Sequence, residues 1–212
     1  MSVEVALPAA ESGLVAVADR LAAATVVDGR LRVDGDPLMA AVLDGVVNEA
    51  ADDLTAIVGT HDGPLRAGVP IVVAVDPRVD DASTPLARTF VVDGSGGWER
   101  RAAVAVEMAH DAVRRVAEPG VPARRIVDEA VAELAAYGLG TGEGAVARGL
   151  GTDIDFSTDT SLAAGQRFVL DPTAVAPDAD RGAVRIGAWY AVTDEGCRRL
   201  GDLPTSLSPD AY

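Results

Sequence analysis

The sequence predicts an α+β domain, and three observations carry that prediction. Ile71-Val72-Val73-Ala74-Val75 and Arg88-Thr89-Phe90-Val91-Val92 are short apolar runs with the β-branched content of buried strands. Trp98 to Val116 is the longest helical pattern, and Pro122 opens a second one running through Ala136. Strand-like runs then return at Phe168-Val169-Leu170, Val184-Arg185-Ile186 and Trp189 to Thr193. Strands, paired helices and strands again is the order of an α+β domain. The 212 residues suffice for one domain with a substantial core.

The remaining elements follow in chain order. Ser12 to Thr25 has helical apolar spacing, with Glu11 or Ser12 placed to cap its start. Asp28-Gly29 and Asp34-Gly35 mark turns on either side of an alternating piece, Arg30-Leu31-Arg32-Val33. Pro37 suits a first helical turn, so Leu38 to Leu54 reads as a second helix. Residues 1–55 thus form an abbreviated helical preface packed on a main domain of residues 56–212. Asp93-Gly94 closes the second strand, Glu118-Pro119-Gly120 ends the long helix, and Gly138 to Gly151 is glycine-rich. Cys197-Arg198-Arg199-Leu200 is strand-like. There is no short tandem repeat.

Composition narrows the function. About half the residues are hydrophobic but only 4% are aromatic, so the core rests on valine, alanine and leucine. The formal charge is −15, all 18 basic residues are arginine, and aspartate far outnumbers glutamate. An acidic surface repels nucleic acid and fits either a basic partner or solvation at high salt. The acids run along the whole chain, which favours the high-salt reading and a halophilic source. No apolar run reaches the roughly 18 residues of a membrane span. The first residues lack the basic start and apolar stretch of a signal peptide, so a soluble cytoplasmic protein is expected. Cys197, the single cysteine, forms no intrachain disulfide and is expected to be a buried, inert thiol.

Gly182 to Leu200, GAVRIGAWYAVTDEGCRRL, resembles the last core strand pair of the pita-bread metallopeptidases. These are the Xaa-Pro aminopeptidases, prolidases, methionine aminopeptidases and creatinases. Pro64-Leu65-Arg66-Ala67-Gly68 with Pro70-Ile71-Val72-Val73 resembles the family's loop and first ligand-bearing strand. Arg88-Thr89-Phe90 resembles its Thr-Arg-Thr-Phe strand, and Glu118-Pro119-Gly120-Val121 its Pro-Gly-Val helix ending. Ala147-Arg148-Gly149-Leu150-Gly151 stands where the family reads Gly-His-Gly-Ile-Gly. Leu162 to Phe168, with Leu170-Asp171-Pro172, resembles its Leu-x-x-Gly-Met-x-Phe strand and following Glu-Pro. The match covers about Pro64 to Pro204. It implies a pita-bread fold, with helix pairs and strands related by a pseudo-twofold and a truncated first half.

The resemblance also implies where ligands to two divalent ions, such as manganese, cobalt or zinc, would stand. The two aspartate positions hold Ala74 and Pro85, eleven apart as in the family. The histidine position holds Arg148, the bridging glutamate position holds Gly187, and only Asp171 is a carboxylate. A following His-Glu pair is replaced by Asp155-Phe156. Two close divalent ions need several carboxylates and an imidazole to offset four positive charges. The expectation is therefore no metal cofactor and no catalytic residue, with Arg148 reaching Asp171 to fill the site with an ion pair. The implied function is a non-catalytic binder of a peptide or protein partner, as a homodimer or a heterodimer with an active paralogue. An active, metal-dependent Xaa-Pro aminopeptidase or dipeptidase is the alternative.

Other motifs are weaker. His61 falls near a loop where the family carries a substrate-facing histidine, so it is a possible binding residue, although a turn histidine is favoured. His110 lies mid-helix and reads as structural. Asp153, Asp155 and Asp159 lack the spacing of a calcium loop. Gly140 to Gly144 follows a helix and has no lysine, unlike a phosphate loop. The double arginines at 100–101, 114–115, 124–125 and 198–199 read as solvated faces balanced by nearby acids.

Overall fold

The computed structural model describes residues 2–51, 54–59, 63–79, 82–150, 154–175 and 181–212. The chain opens with helix α1 (Val3–Ala22), then strands β1 (Thr25–Val27), β2 (Arg30–Val33) and β3 (Asp36–Pro37), then helix α2 (Ala40–Ala50). Strand β4 (Thr55–Gly59) leads to β5 (Ile71–Asp76), the small pair β6 (Arg78–Val79) and β7 (Ala82–Ser83), and β8 (Leu86–Phe90). The helix pair is α3 (Trp98–Val116) and α4 (Ala123–Ala136). The last part holds β9 (Gly140–Thr141), β10 (Ala147–Gly149), β11 (Arg167–Leu170), β12 (Thr173–Val175), β13 (Ala183–Arg185), β14 (Ala188–Thr193) and β15 (Gly196–Leu200).

The central strands and helices stand where the apolar patterns put them, and α3 has the expected bounds. The first helix does not. It starts at Val3, so Glu11 and Ser12 are internal rather than capping. Val3, Ala6, Ala10, Leu14, Val17 and Leu21 form one buried stripe, and this continuous apolar face extends the helix through Pro8. The Pro8 ring is exposed, so its missing N–H costs no buried partner. A Cβ on Gly13 would stand 3.2 Å from Val47, so glycine lets α1 and α2 approach closely.

The second helix is also shorter than expected, because Pro37 ends a strand instead of starting a helix. Asp28-Gly29 and Asp34-Gly35 all have positive φ, between 50° and 88°, and form two-residue hairpin loops. Those hairpins draw Asp36 and Pro37 into register with Val33 and Arg32. Leu54 lies beyond the end of α2 and is buried.

Three sheets shape the middle of the molecule. The orders are β4-β5-β8, β10-β11-β14-β15 and β13-β12-β9, with every adjacent pair antiparallel. One core joins the buried faces of α1 and α2 to β5, β8, Val169 and Trp189. A second packs α3 and α4 on Phe168, Leu170 and Tyr190, and a third packs the front of α3 on Ala174, Val184 and Ile186. Phe156, Phe168 and Tyr190 follow one another in the second core, the first pair of rings tilted and the second stacked.

Candidate functional site

The site sits where β5, β8 and the ends of β11 and β13 converge. Ala74 in β5 is the register partner of Ala87 in β8. The Gly187 N–H donates to the Ala87 carbonyl at 3.0 Å, crossing from the β13–β14 connection to β8. Pro85 precedes β8, and its carbonyl accepts from Trp189 Nε1 at 3.3 Å. Asp171 follows β11 and its N–H donates to Val146 O at 2.8 Å, while Arg148 stands in β10 opposite Val169. The fold thus gathers Ala74, Pro85, Arg148, Asp171 and Gly187 around one region.

Asp171 is the charge at its centre, with a side chain only 2% exposed. Arg185 Nε donates to Asp171 Oδ1 at 2.8 Å and Arg185 Nη2 donates to Oδ2 at 2.5 Å. This is the two-toothed guanidinium–carboxylate geometry, stronger than a neutral hydrogen bond. Burial alone would lower the Arg185 guanidinium pKa. The hydrogen bonds and charge of Asp171, aided by Asp76, override burial and raise it. Arg148 does approach Asp171 as expected, but only to 3.7 Å through Nη2. The principal partner is Arg185. Arg185 is fixed in turn by Thr89, whose Oγ1 accepts from Arg185 N at 2.8 Å and donates to its carbonyl at 2.9 Å.

Gly187 makes a close contact at the position where the resemblance implies a carboxylate. A Cβ built there would stand 2.9 Å from both Ala87 N and Asp171 Oδ1. The space a longer side chain would need is already filled by the β8 backbone and the Asp171 carboxylate. On the far side of this connection, His110 Nε2 donates to Ile186 O at 2.8 Å, which leaves Nδ1 to accept from Tyr190 Oη at 3.0 Å. Burial pushes the His110 pKa down to about 4 and that of Tyr190 up to about 12, so both stay neutral. His110 is structural, as its position in the helix predicts.

Other candidates resolve plainly. His61 and Asp153 lie outside the described residues. Asp155 caps a turn through Ser157, and Asp159 pairs with Arg124 at 2.6 Å. Arg114, Arg115 and Arg125 pair with Asp111, Glu133 and Glu129 on exposed helix faces. Cys197 is half-buried, and burial raises its thiol pKa, which disfavours the reactive thiolate. Arg88 is the residue that sequence reasoning passed over. It is fully buried, and its guanidinium donates to the carbonyls of Ala87, Gly187, Leu203 and Pro204. Its pKa falls to about 10, chiefly through burial.

With this geometry in view, the comparisons with known proteins decide the family. The model of metallopeptidase family M24 matches residues 45–194. The chain belongs to that family. Its fold is close to that of the X-Pro aminopeptidase from Thermotoga maritima, with a TM-score of 0.75 and 17% identity over 97% of this chain and 61% of that one. The Xaa-Pro dipeptidase from Bacillus anthracis gives a TM-score of 0.74 at 14% identity, covering 98% and 63%. The prolidase from Pyrococcus horikoshii gives 0.68 at 20%, covering 98% and 65%. The chain therefore spans roughly three-fifths of the length of these M24 structures, and the pita-bread fold implied by the resemblance is the fold found. No curated protein matches the sequence.

M24 enzymes use divalent metals, and the residues present here do not fit such a centre. The positions offer alanine, proline, arginine and glycine, with one aspartate whose two oxygens already accept from Arg185. Among the described residues, no group of three or more histidine, cysteine, aspartate or glutamate side chains is placed to hold a metal ion. Nor is any described helix long and apolar enough to cross a membrane.

Proposed function

We propose that this M24 chain is a non-catalytic binder of a peptide or protein partner. One observation carries the reading: Asp171, the single acid at a ligand position, is neutralised on both oxygens by Arg185 inside a wall closed by Gly187. A buried carboxylate matched by a guanidinium gives a cation little to bind, and Arg148 at 3.7 Å adds positive charge at the same oxygen. The names of the structural neighbours, X-Pro aminopeptidase, prolidase and dipeptidase, support peptide as the ligand class. A second copy of the chain or an active paralogue is the protein partner in view, while the net charge of −15 disfavours nucleic acid.

The test is metal loading. Protein dialysed against manganese or cobalt in molar salt is assayed for bound metal by elemental analysis and for Xaa-Pro dipeptide hydrolysis. The expected result is substoichiometric metal and no turnover above buffer. Stoichiometric metal with turnover would sink the reading in favour of an active aminopeptidase or dipeptidase.

A further inference from the structure

The Arg148 guanidinium is a cation without a matched anion. Its Nη2 donates to the Ala145 carbonyl at a long 3.3 Å, and its 3.7 Å approach to Asp171 Oδ2 is beyond hydrogen-bond reach. Its Nε is enclosed with no acceptor. A guanidinium has five N–H donors, so most of this one's capacity is unspent. The acid beside it, Asp171, gives both oxygens to Arg185. Among the described residues, no further carboxylate comes within 4.0 Å of Arg148. The Arg148 side chain is nevertheless 30% exposed, against 2% for Asp171, so solvent reaches it.

We infer that Arg148 is the docking point for a carboxylate group of the ligand, at the place where M24 enzymes carry a metal-binding histidine. The inference rests on the non-catalytic reading of this site. A carboxylate complements the planar fork of a guanidinium, and the protein displays that pairing a few ångströms away between Arg185 and Asp171. One long bond to Ala145 tethers the Arg148 side chain, so little is lost when an incoming acceptor reorients it. The chemistry at this position is thereby inverted: an imidazole that holds a cation gives way to a cation that holds an anion.

The experiment follows the Arg148 Nε–Hε resonance of 15N-labelled protein at constant ionic strength. Sodium acetate, N-acetyl-dialanine and the C-terminal amide of N-acetyl-dialanine are added in separate titrations. A saturable shift with the two carboxylates and none with the amide is the expected outcome. In Arg148→Gln, followed through the Arg185 Nε–Hε resonance, N-acetyl-dialanine should bind roughly tenfold more weakly, as loss of a charge-assisted bond implies. An unchanged amide pattern in the backbone spectrum shows that this variant folds. No saturable shift, or an equal response to the amide or to sodium chloride, overturns the inference. Protein that binds neither metal nor carboxylate sinks this inference alone, whereas stoichiometric metal with turnover removes the reading beneath it.

Discussion

Arg185 and Arg88 are two arginines drawn into the same interior by opposite means. Arg185 faces a carboxylate, Asp171, and the pair cancels its own charge. Arg88 is the more deeply buried and faces four carbonyls from three separate stretches of chain. The first arrangement is a local replacement, in which one side chain answers one acid. The second is a tie, joining β8 to the Gly187 connection and to the segment after β15. The contrast teaches that site and frame use the same residue type for different work. A carbonyl cage leaves a full positive charge in place, and burial accordingly lowers the Arg88 pKa, whereas Asp171 raises that of Arg185.

Substitutions should separate the two roles by size. Arg88→Leu removes a donor from four carbonyls, of which Ala87 O keeps Gly187 N and Leu203 O keeps Arg199 Nη2, and should cost the most, about 4 kcal/mol or more by chemical denaturation. A loss no larger than that of a surface arginine would show that the carbonyls find other donors and that the tie is unimportant. Asp171→Ala strands Arg185 beside Arg148 and should cost about 3 kcal/mol. Adding Arg185→Met should recover most of that loss, because removing both partners of a buried pair is often nearly neutral. No recovery in the double variant would mean that Arg185 has a further partner in holding the fold. Gly187→Ala should have the smallest effect, about 1–3 kcal/mol, since its Cβ must displace the β8 backbone or the Asp171 carboxylate. An unchanged unfolding midpoint would indicate that this wall is softer than its 2.9 Å contacts imply.

Much of this fold was legible in the sequence where patterns were long and local. The α3 stripe and the apolar runs of β5 and β14 announce themselves through spacing alone. Two-residue strands such as β3 and β9 carry no periodic signal, and they exist because a hairpin or a neighbouring strand pairs with them. Pro37 shows the same limit, since a residue compatible with a helix start is captured by an Asp-Gly hairpin. At the site, the resemblance assigns Ala74, Pro85, Arg148, Asp171 and Gly187 to ligand positions one by one. The partner that answers Asp171 was not legible, because Arg185 lies fourteen residues away across a strand pair and two other arginines compete for notice. The burial of Arg88 was the least visible, since arginine is almost never fully buried without a paired acid.

The contact at Gly187 also sets a direction of travel for the sequence. Restoring a glutamate there by a single change would press its first carbon against Ala87 and Asp171 before its carboxylate reached anything useful. Gains at Ala74 and Pro85 would meet a cluster already holding two arginines. Each single step toward a metal centre is thus disfavoured until the others have been taken. A sequence path to such a centre would therefore run through several concerted replacements rather than a series of single ones.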